Sequence, residues 1–334
     1  MLFGTTSRYS TASLSSFVTQ GNIYERNMPL FVNEEIYESN FTSSSSLFDS
    51  CPSLKDSSEL ILRQPLKKFT SLPRTVYVYQ REIAATHPQD DKIDILGSDD
   101  ATTCHILILR HTGTGATALT HFDGQNTQQG LETMIQLLNS YDDASPSQGR
   151  IEAHLFGGFC DSKNTSAHLT CNVIAALQNQ GTNIHLQSLC CTEVNNVVRG
   201  DINWPVLYGV GVNVKTGKIF PAEFEDKGPN AMLRSARIFG DVQAMTQVYF
   251  PESGEFRIHP FNYRVPRHLA TLLSLPDDIF LAYTSTSPEV EKPGYVQKTR
   301  ETFKFMLSNP MSRMIFPNTD PHIYHLEDGK WKMK

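Results

Sequence analysis

"ILGSDDATTCHILILRHTGTGATALTHFDG", Ile95 to Gly124, decides how this chain folds and where its chemistry sits. Two short apolar runs, HILILRH and ATALTHF, flank the Gly-rich TGTG. Their β-branched and apolar residues fit a pleated surface, so the segment reads as a β-hairpin. With the turn centred between Thr112 and Gly113, Cys104 falls directly opposite His121. Residues opposed in this way have Cβ atoms about 4.5–5.5 Å apart, a gap that a thiolate–imidazole hydrogen bond spans. Strand alternation puts Thr102 and Asp123 on the same face, and His105 and Phe122 on the other.

A thiol, an imidazole and a carboxylate at one hairpin end suit attack on an amide. A neighbouring imidazole lowers the thiol pKa and later protonates the leaving amine. The upstream LGSDDATT offers a turn whose backbone N–H groups face a developing oxyanion. Blander readings fit the same residues: Cys104 as a small buried hydrophobe and His121 as a satisfied strand histidine. A one-residue slip in register would send His121 to the opposite face. Metal-dependent hydrolysis is a further rival, with His111, His121, Asp123 and Cys104 as ligands. The hairpin puts His111 at the far end of the ribbon, and the chain has no HExxH-like helix, so no metal site is expected.

Outward from the hairpin, strand patterns cover 75–84, 151–159 and 183–191, and helical spacing covers 131–141 and 166–180. Residues 205–224 read as a hairpin turning at Lys215–Gly217, and 229–240 as a helix opened by Pro229. Further hairpins are expected over 246–261 and over 322–333, the latter turning at Asp328–Gly329. Residues 295–307 carry the clearest late helix. The polar segment Ser39 to Ser58 reads as a loop or a short helix. The resulting fold class is α+β, with mostly antiparallel sheets covered by helices. It forms a single domain over 28–334, after a disordered N-terminal extension over 1–27. That extension is rich in Ser and Thr, and its alternative reading is a mitochondrial address.

The 334 residues are 39% hydrophobic and 19% charged, which is ordinary globular composition. A net charge of −6 argues against a nucleic-acid partner, whose phosphates need a basic surface. No apolar run approaches the roughly 20 residues that span a bilayer, so no membrane partner is expected. The six cysteines lack framework spacing and read as reduced thiols of an intracellular protein. Cys160, Cys171, Cys190 and Cys191 read as non-catalytic.

The run from Tyr77 to Gly124 resembles the protein N-terminal asparagine amidohydrolase family. HLFGGF, LCCTE, DKGP, STSP and EDGKW are further family-like pieces in the expected order. The resemblance implies hydrolysis of the side-chain amide of an N-terminal Asn, giving Asp and ammonia and feeding the N-degron degradation pathway. It implies peptide or protein substrates, no metal or organic cofactor, a monomer, and a cytoplasmic or nuclear location. The family cysteine falls on Cys104. The layout is also similar to that of bacterial chemoreceptor glutamine deamidases and cytotoxic necrotizing factor toxins, which share a layered α/β sandwich. By that likeness His121 is the base, and Ser98 stands where those enzymes carry a hydroxyl residue. MPLFV, from Met28, is similar to the start of typical family members, which leaves Met1 and Met28 as alternative starts.

A substrate with a free α-ammonium calls for a carboxylate near Cys104. Asp123 is the first choice, with Asp99, Asp100 and Glu193 in reserve. Phe122 and Phe159 are candidate walls for the pocket that rejects Gln, although both also suit a core. A non-catalytic binder of N-terminal residues remains the other reading of the same features.

Overall fold

The computed structural model describes residues 30–32, 34–141 and 148–334. The expected extension over 1–27 lies outside the described residues. The hairpin sits in the middle of an eight-stranded sheet. Its strands run in the order Thr246–Gln247, Glu82–Thr86, Thr117–Phe122, His105–His111, Ile151–Gly157, Ile184–Cys191, Leu30–Val32 and Glu35–Tyr37. Antiparallel pairing dominates around the hairpin. Ile151–Gly157 and Ile184–Cys191 instead run parallel, because helix Thr165–Gln178 carries the chain back between them.

A second sheet of five strands holds Lys67–Phe69, Ile219–Phe224, Val210–Asn213, Ile95–Ser98 and Thr75–Tyr77. Alternation along His105–His111 divides the core. Leu107 and Leu109 face helices Thr127–Ser140 and Thr165–Gln178 through Leu131, Met134, Val173 and Ile174. Ile106 and Ile108 face the second sheet through Val76, Leu96, Val210 and Val212. The result is three layers of helices, sheet and sheet. A smaller helical cluster built on Phe280, Phe303 and Met306 packs beside helix Ala231–Phe239. No helix among the described residues is long and apolar enough to cross a membrane.

Several expectations are corrected. Residues 75–84 are two strands in different sheets, parted where Arg81 takes the left-handed conformation (φ 62°). Segment 39–58 contributes helix Ser44–Ser50 and part of helix Pro52–Leu62. Asn230, not Pro229, caps helix Ala231–Phe239. Of the 246–261 hairpin, only Tyr249–Phe250 and Glu255–Ile258 pair, while Thr246–Gln247 joins the large sheet. The central hairpin pairs His105 with Phe122 and Ile106 with His121. Its turn takes four residues, Thr112 to Gly115, closed by His111 N–H donating to the Ala116 carbonyl. That larger turn moves the register by two residues, so Cys104 is not directly opposite His121. A two-residue shift preserves the face, and both side chains still point to the sandwich side.

Candidate active site

Cys104 lies where the chain crosses between the sheets, after strand Ile95–Ser98 and one residue before His105–His111. Asp100 turns the crossing with φ 59°. The Cys104 carbonyl accepts from Gly158 N–H at 3.0 Å. A Cβ on Gly157 (φ 107°) would stand 2.4 Å from that carbonyl oxygen, so the glycines of FGGF permit the close packing that fixes the cysteine backbone. The Cys104 side chain is buried and borders a cavity of about 380 Å³. Gln80 Nε2 donates to its sulfur at 3.0 Å. Among the described residues, no acceptor takes the backbone N–H groups of Thr102, Thr103 or Cys104, three residues that line the same cavity.

His121 is buried and borders the cavity too. Its Nδ1 is 2.8 Å from Ser98 Oγ, and that hydroxyl donates its only hydrogen to the Val78 carbonyl at 2.7 Å. Ser98 must therefore accept from Nδ1–H, which leaves the lone pair on Nε2. Nε2 is buried and has no hydrogen-bond partner among the described residues. Burial lowers the His121 pKa to about 4, against the opposing pull of Asp123. Burial, then the Asp123 charge, push the Cys104 thiol up to about 12, while the Gln80 bond works to lower it. The resting pair is thus a neutral thiol and a neutral imidazole, with no hydrogen bond between them. The thiol–imidazole hydrogen bond expected from a directly opposed register is not formed.

The candidate carboxylates divide sharply. Asp123 borders the cavity, but its Oδ2 is held by Arg81 Nε at 2.7 Å. Asp99 is buried between Lys227 and Tyr77, with Lys292 at 3.5 Å. Asp100 meets Lys227 at 3.0 Å and Lys292 at 3.2 Å. Burial works to raise the Asp100 carboxyl, and the two lysines outweigh it and hold it below the usual range. Glu193 is exposed, accepts from Thr192, and does not border the cavity. Neither Phe122 nor Phe159 reaches it; Phe122 packs in the core on the helix side of the sheet. His111 stays at the turn, bonded to Thr114.

Among the cavity residues that escaped the sequence reading, Gln80 and Glu291 bear most directly on Cys104. Gln80 carries no pattern signal; the chain break beside Arg81 aims it, and Arg81 N–H donates to the His121 carbonyl at 2.9 Å. Glu291 comes from the STSP-to-helix connection far along the chain, and only the fold brings it to Cys104.

The protein N-terminal asparagine amidohydrolase family model matches residues 65–333. The chain is 40% identical over 259 residues to the protein N-terminal asparagine amidohydrolases of Sus scrofa and of Homo sapiens, covering 77% of this chain and 83% of each relative. Identity to the Arabidopsis thaliana protein of the same name is 29% over 286 residues, covering 78% and 81%. On the extent of these matches, the chain belongs to the protein N-terminal asparagine amidohydrolase family.

Proposed function

We propose that this protein hydrolyses the side-chain amide of N-terminal asparagine in peptides and proteins, using Cys104 as nucleophile and His121 as general base and acid. The names of its relatives support the substrate class. The observation that carries the mechanism is the unpartnered Nε2 lone pair of His121 in the cavity that also holds the Cys104 thiol.

The reaction follows from the resting protonation states. His121 Nε2 removes the thiol proton as sulfur attacks the amide carbonyl, so charge forms only when substrate is present. Gln80 Nε2, already bonded to the sulfur, follows the charge onto the carbonyl oxygen. The free N–H groups of Thr102, Thr103 and Cys104 add further donors there, each worth roughly 3–4 kcal/mol in comparable sites. Imidazolium then protonates the departing nitrogen, which leaves as ammonia, and a thioester remains on Cys104. His121 next activates a water; hydroxide adds to the thioester, and the thiol returns with Asp as product. Ser98 holds the imidazole in the tautomer that both steps need. None of these steps calls for a metal.

The layered sandwich, with its Cys, His and Ser drawn from two sheets, fits the deamidase layout of the chemoreceptor and toxin enzymes. We read residues 28–334 as one catalytic domain acting as a monomer, and the six free thiols as suited to the reducing cytoplasm or nucleus. The product aspartate would feed N-degron turnover.

Ammonia release should be measured on peptides differing only in Asn or Gln at the first position, with chelator present throughout. The Asn peptide is expected to turn over and the Gln peptide to lag by at least about 10-fold, since one methylene is worth about 1–3 kcal/mol. Equal rates would overturn the substrate assignment. Loss of activity on chelation would favour the metal reading, and tight binding without ammonia would favour a pure binder.

A further inference from the structure

We propose that Glu291 holds the α-ammonium of the substrate's first residue, and so makes the enzyme specific for a free N-terminus. The inference rests on the deamidation reading above and names a recognition group within the same site.

The argument is one of electrostatic accounting. A carboxylate already held by a cation gains little from a second one, so the ammonium needs an acid that is not otherwise paired. Asp123 is held by Arg81, and Asp99 and Asp100 by Lys227 and Lys292. Glu291 borders the same cavity as Cys104 and forms no ion pair among the described residues. Its neighbour Lys292 turns away to Asp99, Asp100 and Glu223. One Glu291 oxygen, Oε1, accepts from Ser285 Oγ, which orients the carboxylate, and Oε2 has no bond among the described residues.

The groups facing Glu291 are Asp100 and Lys292 from the cavity floor, Cys104 from the crossing, Tyr208 from the wall and Tyr295 from the last long helix. Burial raises the Glu291 carboxyl to about 7; Asp100 adds to this, and Ser285 and Lys292 oppose it. A half-buried carboxyl whose pKa is raised in the empty site gains when an ammonium arrives and favours its charged form.

The test compares an Asn-starting peptide with the same peptide lacking only its α-amine, in the wild-type enzyme and in Glu291→Gln. In the wild type, removing the amine should lower kcat/KM about 10²-fold. Glu291→Gln should lose a similar factor on the amine peptide, mostly in KM, and barely distinguish the two peptides. The circular dichroism spectrum and melting temperature of Glu291→Gln should stay close to those of the wild type, since the carboxylate forms no ion pair among the described residues.

A second readout needs only the wild type. With the amine peptide, kcat/KM should rise with pH through about 7 as Glu291 ionises. It should fall above about 8 as the peptide α-amine loses its proton. Without the amine both limbs should go. Retained preference for the amine in Glu291→Gln, or identical pH profiles for the two peptides, would overturn the proposal and leave the reaction intact. Absence of ammonia from both peptides in the wild type would strike the reaction itself, and this proposal with it.

Discussion

Ser98 gives its one proton to the Val78 carbonyl, and the working tautomer of His121 follows from that bond. Removing the hydroxyl frees the imidazole to carry its proton on either nitrogen, and it leaves a buried Nδ1–H unpaired. Ser98→Ala is therefore expected to lower kcat by about 10²-fold while KM stays within about twofold; an unchanged kcat in steady-state assays would refute the tautomer argument. Gln80 acts on the other partner. Gln80→Leu keeps the volume and removes the donor, so the pH at which the thiol becomes alkylatable should rise, and kcat should fall by about 10²–10³-fold. Alkylation and kcat both at wild-type levels would show that the 3.0 Å contact is incidental. At this scale the sequence was informative wherever chemistry is rare. A cysteine, a histidine and a serine in one short stretch could be read together. Gln80 and Glu291 could not, since a glutamine beside a strand and a glutamate before a helix look like surface residues until the fold turns them inward. The same blindness applied to charge partners. Asp123, Asp99 and Asp100 looked available because Arg81, Lys227 and Lys292 are distant in the chain or unremarkable beside it.

Between elements, the decisive object is the turn of the central hairpin. Strand alternation correctly assigned Cys104 and His121 to one face and His105 and Phe122 to the other, because a period of two survives any even shift. The register itself was misread, since TGTG supports turns of more than one length and only Gly115 (φ 73°) needs the left-handed conformation. The two-residue shift accounts for the missing thiol–imidazole bond, as diagonal neighbours on a strand pair stand farther apart than opposed ones. Strand Glu82–Thr86 escaped separate notice for a similar reason: TVYVYQREIA alternates smoothly across a break that only Arg81's backbone reveals. The FGGF glycines supply a test at this level. Gly157→Ala combines a left-handed backbone with a Cβ 2.4 Å from the Cys104 carbonyl. It should cost about 1–3 kcal/mol, read as a melting temperature lowered by several degrees, and reduce activity by displacing the nucleophile. Gly181→Ala, with open space around the added atom, should change neither by more than about 0.5 kcal/mol. Equal behaviour of the two variants would contradict the packing account.

Across the whole molecule, the site exists because two sheets and a helix are locked at one point. Arg234, on helix Ala231–Phe239, is fully buried and grips Glu82 through Nε at 2.9 Å and Nη2 at 2.5 Å. It also donates to the Tyr77 carbonyl at 2.6 Å, joining the large sheet, the second sheet and the helix that borders the cavity. Glu82→Gln leaves that guanidinium without its counter-charge and should cost about 3–5 kcal/mol, visible as a lower urea midpoint; a wild-type midpoint would show that the pair is not the keystone. The helices that cover the sheets were legible in the sequence because amphipathic periodicity reports burial directly; the order of the layers was not. The pairing of strands from distant segments was not, since nothing in a strand's own residues names its neighbour. All of this architecture serves one claim, that a sulfur atom performs the hydrolysis. The most direct measurement is ammonia release from an Asn-starting peptide by Cys104→Ala, run beside the wild type, with circular dichroism and melting curves confirming the same fold. The account predicts turnover by the wild type and none above background by the variant. Ammonia produced by Cys104→Ala at the wild-type rate would contradict it.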